Sequence, residues 1–201
     1  MSETTTGIET PLHRCISQPG REEPGSGDNG LLVREAPLAT HLRLRGDPED
    51  AAFLSGVESV LGLPLPTQTC TYIRNGKLGL YWLGPDEWLL LAQDNKALGY
   101  EQALREGVPG HVAIVDVSGG QTLVNLSGVG VDDILKKSGS YDFHSSNFGS
   151  GRCVQTTFAK ATALVARCEN GSVDLVIRRS FADYLARWLL DAGAEFDARI
   201  I

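Results

Sequence analysis

The sequence predicts an α+β fold in which two similar βαββ-type units with antiparallel or mixed sheets form one domain behind an extended N-terminal arm. Three observations predict it. Strand-like and helix-like segments alternate from Leu31 onward, the pattern restarts near Gln121, and residues 1–30 carry no apolar period.

The arm ends in QPGREEPGSGDNG, a mixture of Pro, Gly, charge and small polar residues that cannot bury enough apolar surface to offset its ordering entropy. It is expected to order only against something else, with PLHRCIS (Pro11 to Ser17) as its contact. The globular part is expected to span residues 31–201, in halves of about 31–118 and 119–201.

In the first half, LATHLRLRG (Leu38 to Gly46) alternates apolar with polar at period two, which predicts a half-buried strand. A helix follows, with Asp47 as N-cap, Pro48 at the first helical position, and Phe53, Leu54, Val57, Val60 and Leu61 at helical spacing until Pro64 and Pro66. Lys77 to Gln93 holds two apolar runs around Gly84-Pro85-Asp86-Glu87, the turn chemistry of a hairpin. DNKALGYEQALREG then predicts a helix, and the nearly all-apolar HVAIVDVS a strand inside a sheet.

The second half repeats this order. QTLVNLSG reads as a strand, VGVDDILKKSG as a short helix ended by Gly139, and SYDFHSSNFGSG as an irregular loop. RCVQTTFAK and ATALVARCENGSVDLVIRRS predict three strands, the last two joined by a tight turn at Glu169-Asn170-Gly171-Ser172. SFADYLARWLLDAG closes the chain as a helix capped by Ser180, with Phe181, Tyr184, Leu185, Trp188 and Leu189 on one face.

LRLRGDPEDAAFL and LVNLSGVGVDDIL share a strand, a glycine (Gly46, Gly128), an acidic start and an apolar helix, and the hairpins that follow them echo one another too. Two ferredoxin-like βαββ units are therefore expected. Each alone leaves a sheet face uncovered, and pairing two buries it.

Composition excludes several classes. With 18 Lys+Arg against 25 Asp+Glu the net charge is -7 and no basic cluster offsets it, so nucleic acid is not an expected partner. Cys15, Cys70, Cys153 and Cys168 form no CxxC, and MSETTTGIET lacks a secretory pattern, which reads as reduced thiols in the cytoplasm. The longest apolar runs, such as Trp88 to Ala92, fall far short of the roughly 20 residues that span a bilayer, so no membrane association is expected. His13, His41, His111 and His144 never stand at a ligand spacing within one element, so no metal site is expected.

The densest candidate motif is VDVSGG. Asp116 and Ser118 fit a general base and a polar contact, but these residue types also turn a chain by bonding nearby amides, and no histidine or lysine motif accompanies them. Gly119-Gly120 and Gly128-x-Gly130 match neither phosphate-loop pattern. Asp132-Asp133 suits a helix N-terminus, Arg178-Arg179 an exposed basic pair, and Trp82, Trp88 and Trp188 the core before an interface.

PLHR, GPDEWLLL, DVSGGQTLVNLSG and RRSFADYLARWLLDAG, occurring in this order over nearly the whole chain, resemble the gamma subunit of heterotetrameric bacterial sarcosine oxidase. From Asp116 onward the chain also resembles the folate-binding fold of the glycine-cleavage aminomethyltransferase. In that enzyme the strand after the loop leads to Gly-Gly and an acidic pair that acts at the folate. Here the corresponding stretch is TTFAKATALVA, with Lys160 as its sole charge.

The resemblance implies a complex with alpha, beta and delta subunits that demethylates sarcosine to glycine with oxygen, forming hydrogen peroxide and passing the one-carbon unit to tetrahydrofolate. It places FAD, FMN, NAD, tetrahydrofolate and zinc on the other subunits, with none bound by this chain alone. No catalytic, cofactor-binding or metal-ligating residue is expected in this chain, and whether His144 or Arg152 reaches a neighbouring site stays open. The alternative is a freestanding folate-binding or regulatory module.

Overall fold

The structure, a computed structural model, describes residues 10–12, 30–36 and 39–201. It is α+β with two sheets, one of five strands and one of six. Most of the expected arm, and with it His13 to Ser17 of the contact segment, lies outside the described residues.

The five-stranded sheet contains β2 (Thr40–Arg45), β3 (Tyr72–Asn75), β4 (Leu78–Gly84), β5 (Glu87–Ala92) and β6 (Ala113–Asp116), in the order β3-β4-β5-β2-β6. Its helices are α1 (Ala51–Leu61) and α2 (Ala97–Gly107). The six-stranded sheet contains β7 (Gln121–Gly128), β8 (Cys153–Phe158), β9 (Ala161–Arg167) and β10 (Val173–Arg178), with α3 (Val131–Ser138) and α4 (Ala182–Ala192). Read from β8 its order is β8-β9-β10-β7, then β1 (Leu31–Glu35) and β11 (Arg199–Ile200).

The two orders superpose strand for strand, β3 on β8, β4 on β9, β5 on β10 and β2 on β7, so the echo between the halves is a repeated topology. One strand breaks it. β1, expected with the first half, pairs antiparallel with β7, and β11 pairs parallel with β1. The first strand among the described residues thus completes the sheet of the second half, and β11 reaches that sheet through it.

Alternation along the strands sets the layers. Leu42, Leu44, Leu80, Trp88 and Leu90 face α1 and α2 in one core, while Val124, Leu126, Val165, Leu175 and Ile177 face α3 and α4 in another. Tyr81, Leu89, Leu91, Leu123, Leu164 and Val176 meet between the sheets. β5 is buried on both faces, which explains why WLLLA is apolar without alternation. Trp88 is fully buried and donates its indole N–H to the carbonyl of Pro66 at 2.8 Å. Each such side chain contributes about 1.5–3 kcal/mol by leaving water.

Several local expectations are corrected. α1 is capped by Asp50, whose side chain accepts from Ala52 N–H, while Asp47 accepts from Glu49 N–H in a preceding turn. Two capping-type aspartates three apart compete, and the later one wins. α4 follows a short 3-10 turn at Arg179–Phe181, so Ser180 makes no cap there. HVAIVDVS is an edge strand rather than an interior one, with Val115 52% exposed. β1, β3 and β11 escaped the sequence reading because four or five residues, or two, carry too little period to register.

The expected hairpins form. Gly84 pairs with Glu87 around Pro85-Asp86, and Cys168 pairs through its N–H with Ser172 around a loop in which Gly171 takes φ +82°. Gly46 and Gly128 are glycine for different reasons. A Cβ on Gly46 would press into the Phe53 ring, whereas Gly128 has φ +92° and its Cβ would collide with the Gly30 carbonyl.

Candidate functional site

The Asp116–Ser118 step lies where β6 leaves the five-stranded sheet for β7. Ser118 donates its hydroxyl to Asp116 Oδ1 at 2.6 Å and its N–H to the same oxygen at 2.9 Å. The backbone N–H of His41 donates to Ser118 Oγ at 2.9 Å. β2 brings His41 there from 77 residues away, a neighbour that the sequence did not reveal.

The contact between His41 and Ser118 runs through the backbone of His41. The His41 ring bonds Gln121 Oε1 through Nδ1 at 3.0 Å. Burial lowers the His41 pKa, opposed by Gln121 and Asp116. The space beside the cluster is about 10 Å3, while a single water needs roughly 10–15 Å3. Asp116 is exposed and Ser118 half-buried, and their hydrogen bonds tie the end of β6 to β2.

The remaining candidates are placed apart. His144 is exposed in the loop after α3, its Nδ1 2.7 Å from Ser146 Oγ. Arg152 sits at the bridge between Thr71 and Arg152 that stitches the two sheets together, and its buried Nε has no partner among the described residues. Lys160 is exposed at the tip of the β8–β9 hairpin, and Phe158 to Ala163 places no carboxylate beside it. Arg178 is exposed at the end of β10. Among the described residues no group of three His, Cys, Asp or Glu could hold a metal ion.

Two of the thiols are held in the protonated form by their surroundings. Burial pushes the Cys153 thiol up to about 12, and burial with the neighbouring Asp174 raises that of Cys168.

A groove of about 800 Å3 lies between the sheets, where the inner faces turn from apolar to polar. Asp174, 6% exposed, accepts from Asn125 Nδ2 at 2.7 Å and pairs with Arg74 at 3.1 Å. Tyr72 stacks on Tyr81 with centroids 4.8 Å apart and donates its hydroxyl to the Arg167 carbonyl at 2.9 Å. Burial raises both phenol pKa values, so both stay neutral donors. Sequence reasoning missed this groove, since its polar residues come from four strands and the turns and loops beside them; the buried Asp174 inside an apolar run was the one available signal.

A model of the sarcosine oxidase gamma subunit family matches residues 45–195. The chain belongs to that family. The sarcosine oxidase subunit gamma of Arthrobacter sp. is 32% identical over 200 residues, covering 98% of this chain and 97% of that one. That of Corynebacterium sp. (strain U-96) is 34% identical over 177 residues, covering 86% and 84%. Among solved structures, a chain of the heterotetrameric sarcosine oxidase from Corynebacterium sp. U-96 in complex with pyrrole 2-carboxylate matches with TM-score 0.83 at 26% identity, over 96% of this chain and 98% of that one.

The glycine cleavage system aminomethyltransferase T from Bartonella henselae matches with TM-score 0.61 at 16% identity, over 86% of this chain and 48% of that one. That likeness is of fold. The sarcosine oxidase gamma family thus uses the aminomethyltransferase-like architecture, and in this member the Asp-x-Ser junction is closed by its own hydrogen bonds.

Proposed function

We propose that this chain is the noncatalytic, structural gamma subunit of a heterotetrameric sarcosine oxidase, assembled with alpha, beta and delta subunits in the cytoplasm. The near full-length match to a chain of the solved heterotetramer carries the reading. The complex removes the N-methyl group of sarcosine oxidatively, giving glycine, hydrogen peroxide, and methylenetetrahydrofolate or formaldehyde. FAD, FMN, NAD, tetrahydrofolate and zinc belong to the other subunits.

The local geometry supports a chain that contributes surface rather than chemistry. Ser118 is engaged in the turn, the Cys153 and Cys168 thiols are held protonated, and the stretch from Phe158 to Ala163 lacks a carboxylate. Among the described residues, no helix is long and apolar enough to cross a membrane.

Co-expression with the three neighbouring subunits tests this. A yellow four-chain complex that consumes oxygen with sarcosine, beside a colourless inactive lone chain, is the expected result. A lone chain that binds tetrahydrofolate and ignores every other subunit would replace the reading with a freestanding folate module.

A further inference from the structure

An edge strand turns unpaired backbone groups outward, and proteins cover or charge such edges to keep other chains from pairing there. The five-stranded sheet has two edges. β3 is stitched to the other sheet by the bridge between Thr71 and Arg152, whereas among the described residues β6 pairs with β2 alone.

Register shows which backbone groups of β6 face outward. The N–H of Val117 donates to the His41 carbonyl, so Val117, Val115 and Ala113 turn their backbone groups toward β2. Ile114 and Asp116, at the alternate positions, turn theirs away. The centre of the strand, Ala113-Ile114-Val115, carries no proline, lysine or glycine, and both Ala113 and Val115 are exposed. It is a short template for a second strand.

One side chain occupies that template. Arg105, in the last turn of α2, donates from Nη2 to the Ile114 carbonyl at 2.8 Å. Its Nη2 and Nε also donate to Glu101 Oε1, at 2.8 and 3.0 Å, so the carboxylate one turn earlier fixes the guanidinium over the edge. Leu104 beside it is fully buried and holds α2 against the sheet. A strand pairing at Ile114 needs this carbonyl as an acceptor, and must displace the guanidinium to reach it.

We propose that Arg105 guards the β6 edge, and that the strand it excludes is β6 of a second copy of this chain. The strand is self-complementary. Two antiparallel copies centred on Ile114 set Ala113 of each opposite Val115 of the other, and Val112 opposite Asp116, with no like charges directly opposed. The edge is apart from both the groove and the Asp116–Ser118 bonds, and its guarding does not depend on which assembly the chain joins.

The test is sedimentation and amide hydrogen exchange of the full chain. Arg105→Ala puts the strongest helix former at an exposed position, so its circular dichroism should match that of the parent. It should self-associate about tenfold more tightly per edge, or about a hundredfold per dimer, because each copy loses one competing hydrogen bond. The Ile114 amide should gain protection with rising protein concentration in the variant and not in the parent. Glu101→Ala, which leaves Arg105 in place but unclamped, should fall between the two. Adding Val115→Glu to Arg105→Ala sets a carboxylate opposite Arg43 in the native sheet while charging the edge, and should return the parent's behaviour. Association of Arg105→Ala no tighter than the parent's, association that Val115→Glu leaves untouched, or Ile114 protection indifferent to concentration would overturn the proposal.

Discussion

The backbone N–H of Leu12 donates to Glu35 Oε2 at 3.0 Å, fastening the N-terminal segment to the strand that completes the second sheet. The other oxygen of the same carboxylate accepts from the Thr122 hydroxyl at 2.7 Å. Leu12 is only 1% exposed and packs in the core under α3 and α4. The contact segment read from the sequence therefore begins by anchoring on its own chain.

Leu12→Ala is expected to destabilise the chain by about 2–4 kcal/mol, as large-to-small changes in a packed core do. Urea unfolding of the two proteins measures it. A loss below about 0.5 kcal/mol, the scale of surface substitutions, would mean that the segment is not docked in solution.

Ser118→Ala removes one hydroxyl from the β6–β7 junction. The expected cost is about 1 kcal/mol of stability, with sarcosine-dependent oxygen uptake of the assembled complex per flavin unchanged within about twofold. A hundredfold or greater fall in turnover of an intact complex would instead place Ser118 in the chemistry.

Gly128→Ala should be far more damaging than Gly120→Ala. The first forces a Cβ onto a backbone carbonyl at positive φ, whereas nothing lies within 4 Å of the second. A cost of about 2 kcal/mol or more is expected for Gly128 and under about 0.5 for Gly120. Equal melting temperatures for the two variants would contradict the approach of Gly30 to Gly128.

Breaking the Arg74–Asp174 pair one partner at a time leaves a charge facing the groove with its partner gone. Arg74→Met and Asp174→Leu should each cost about 1–3 kcal/mol, since Asp174 is nearly buried and Arg74 only partly so. The double variant should cost less than the sum, and a double-mutant cycle reads the coupling. Strict additivity would remove the pair from the account of the groove.

His41 gives a pH signature. Its folded pKa is lowered, chiefly by burial, so the unfolded chain binds the proton more readily. Its contribution is complete above the unfolded value of about 6.5 and is lost as pH falls through that value toward the lower folded pKa. His41→Gln should therefore flatten the loss of stability below about pH 6.5, seen as a difference between the two unfolding curves. Parallel curves across that range would show that His41 titrates normally.

Much of this protein was legible as local pattern. The hairpin around Pro85-Asp86, the Asn170-Gly171 turn, the apolar faces of α1 and α4 and the repeat around Gly46 and Gly128 all follow from residue types at short spacing. Those signals need no partner strand, because turn chemistry and helical period act within a few residues.

Tertiary structure decided the rest. Sequence did not place β1 beside β7, His41 beside Ser118, or Arg34, Asn125 and Asp174 in one row, because strand register is a contact between distant segments. It read VAIVDV as interior because apolar residues suit both a covered strand and an edge, and only the sheet order separates them. The sequence by itself determined the elements, their repeat and the family resemblance; the packing of two sheets face to face decided which polar side chains close a junction and which line an open groove.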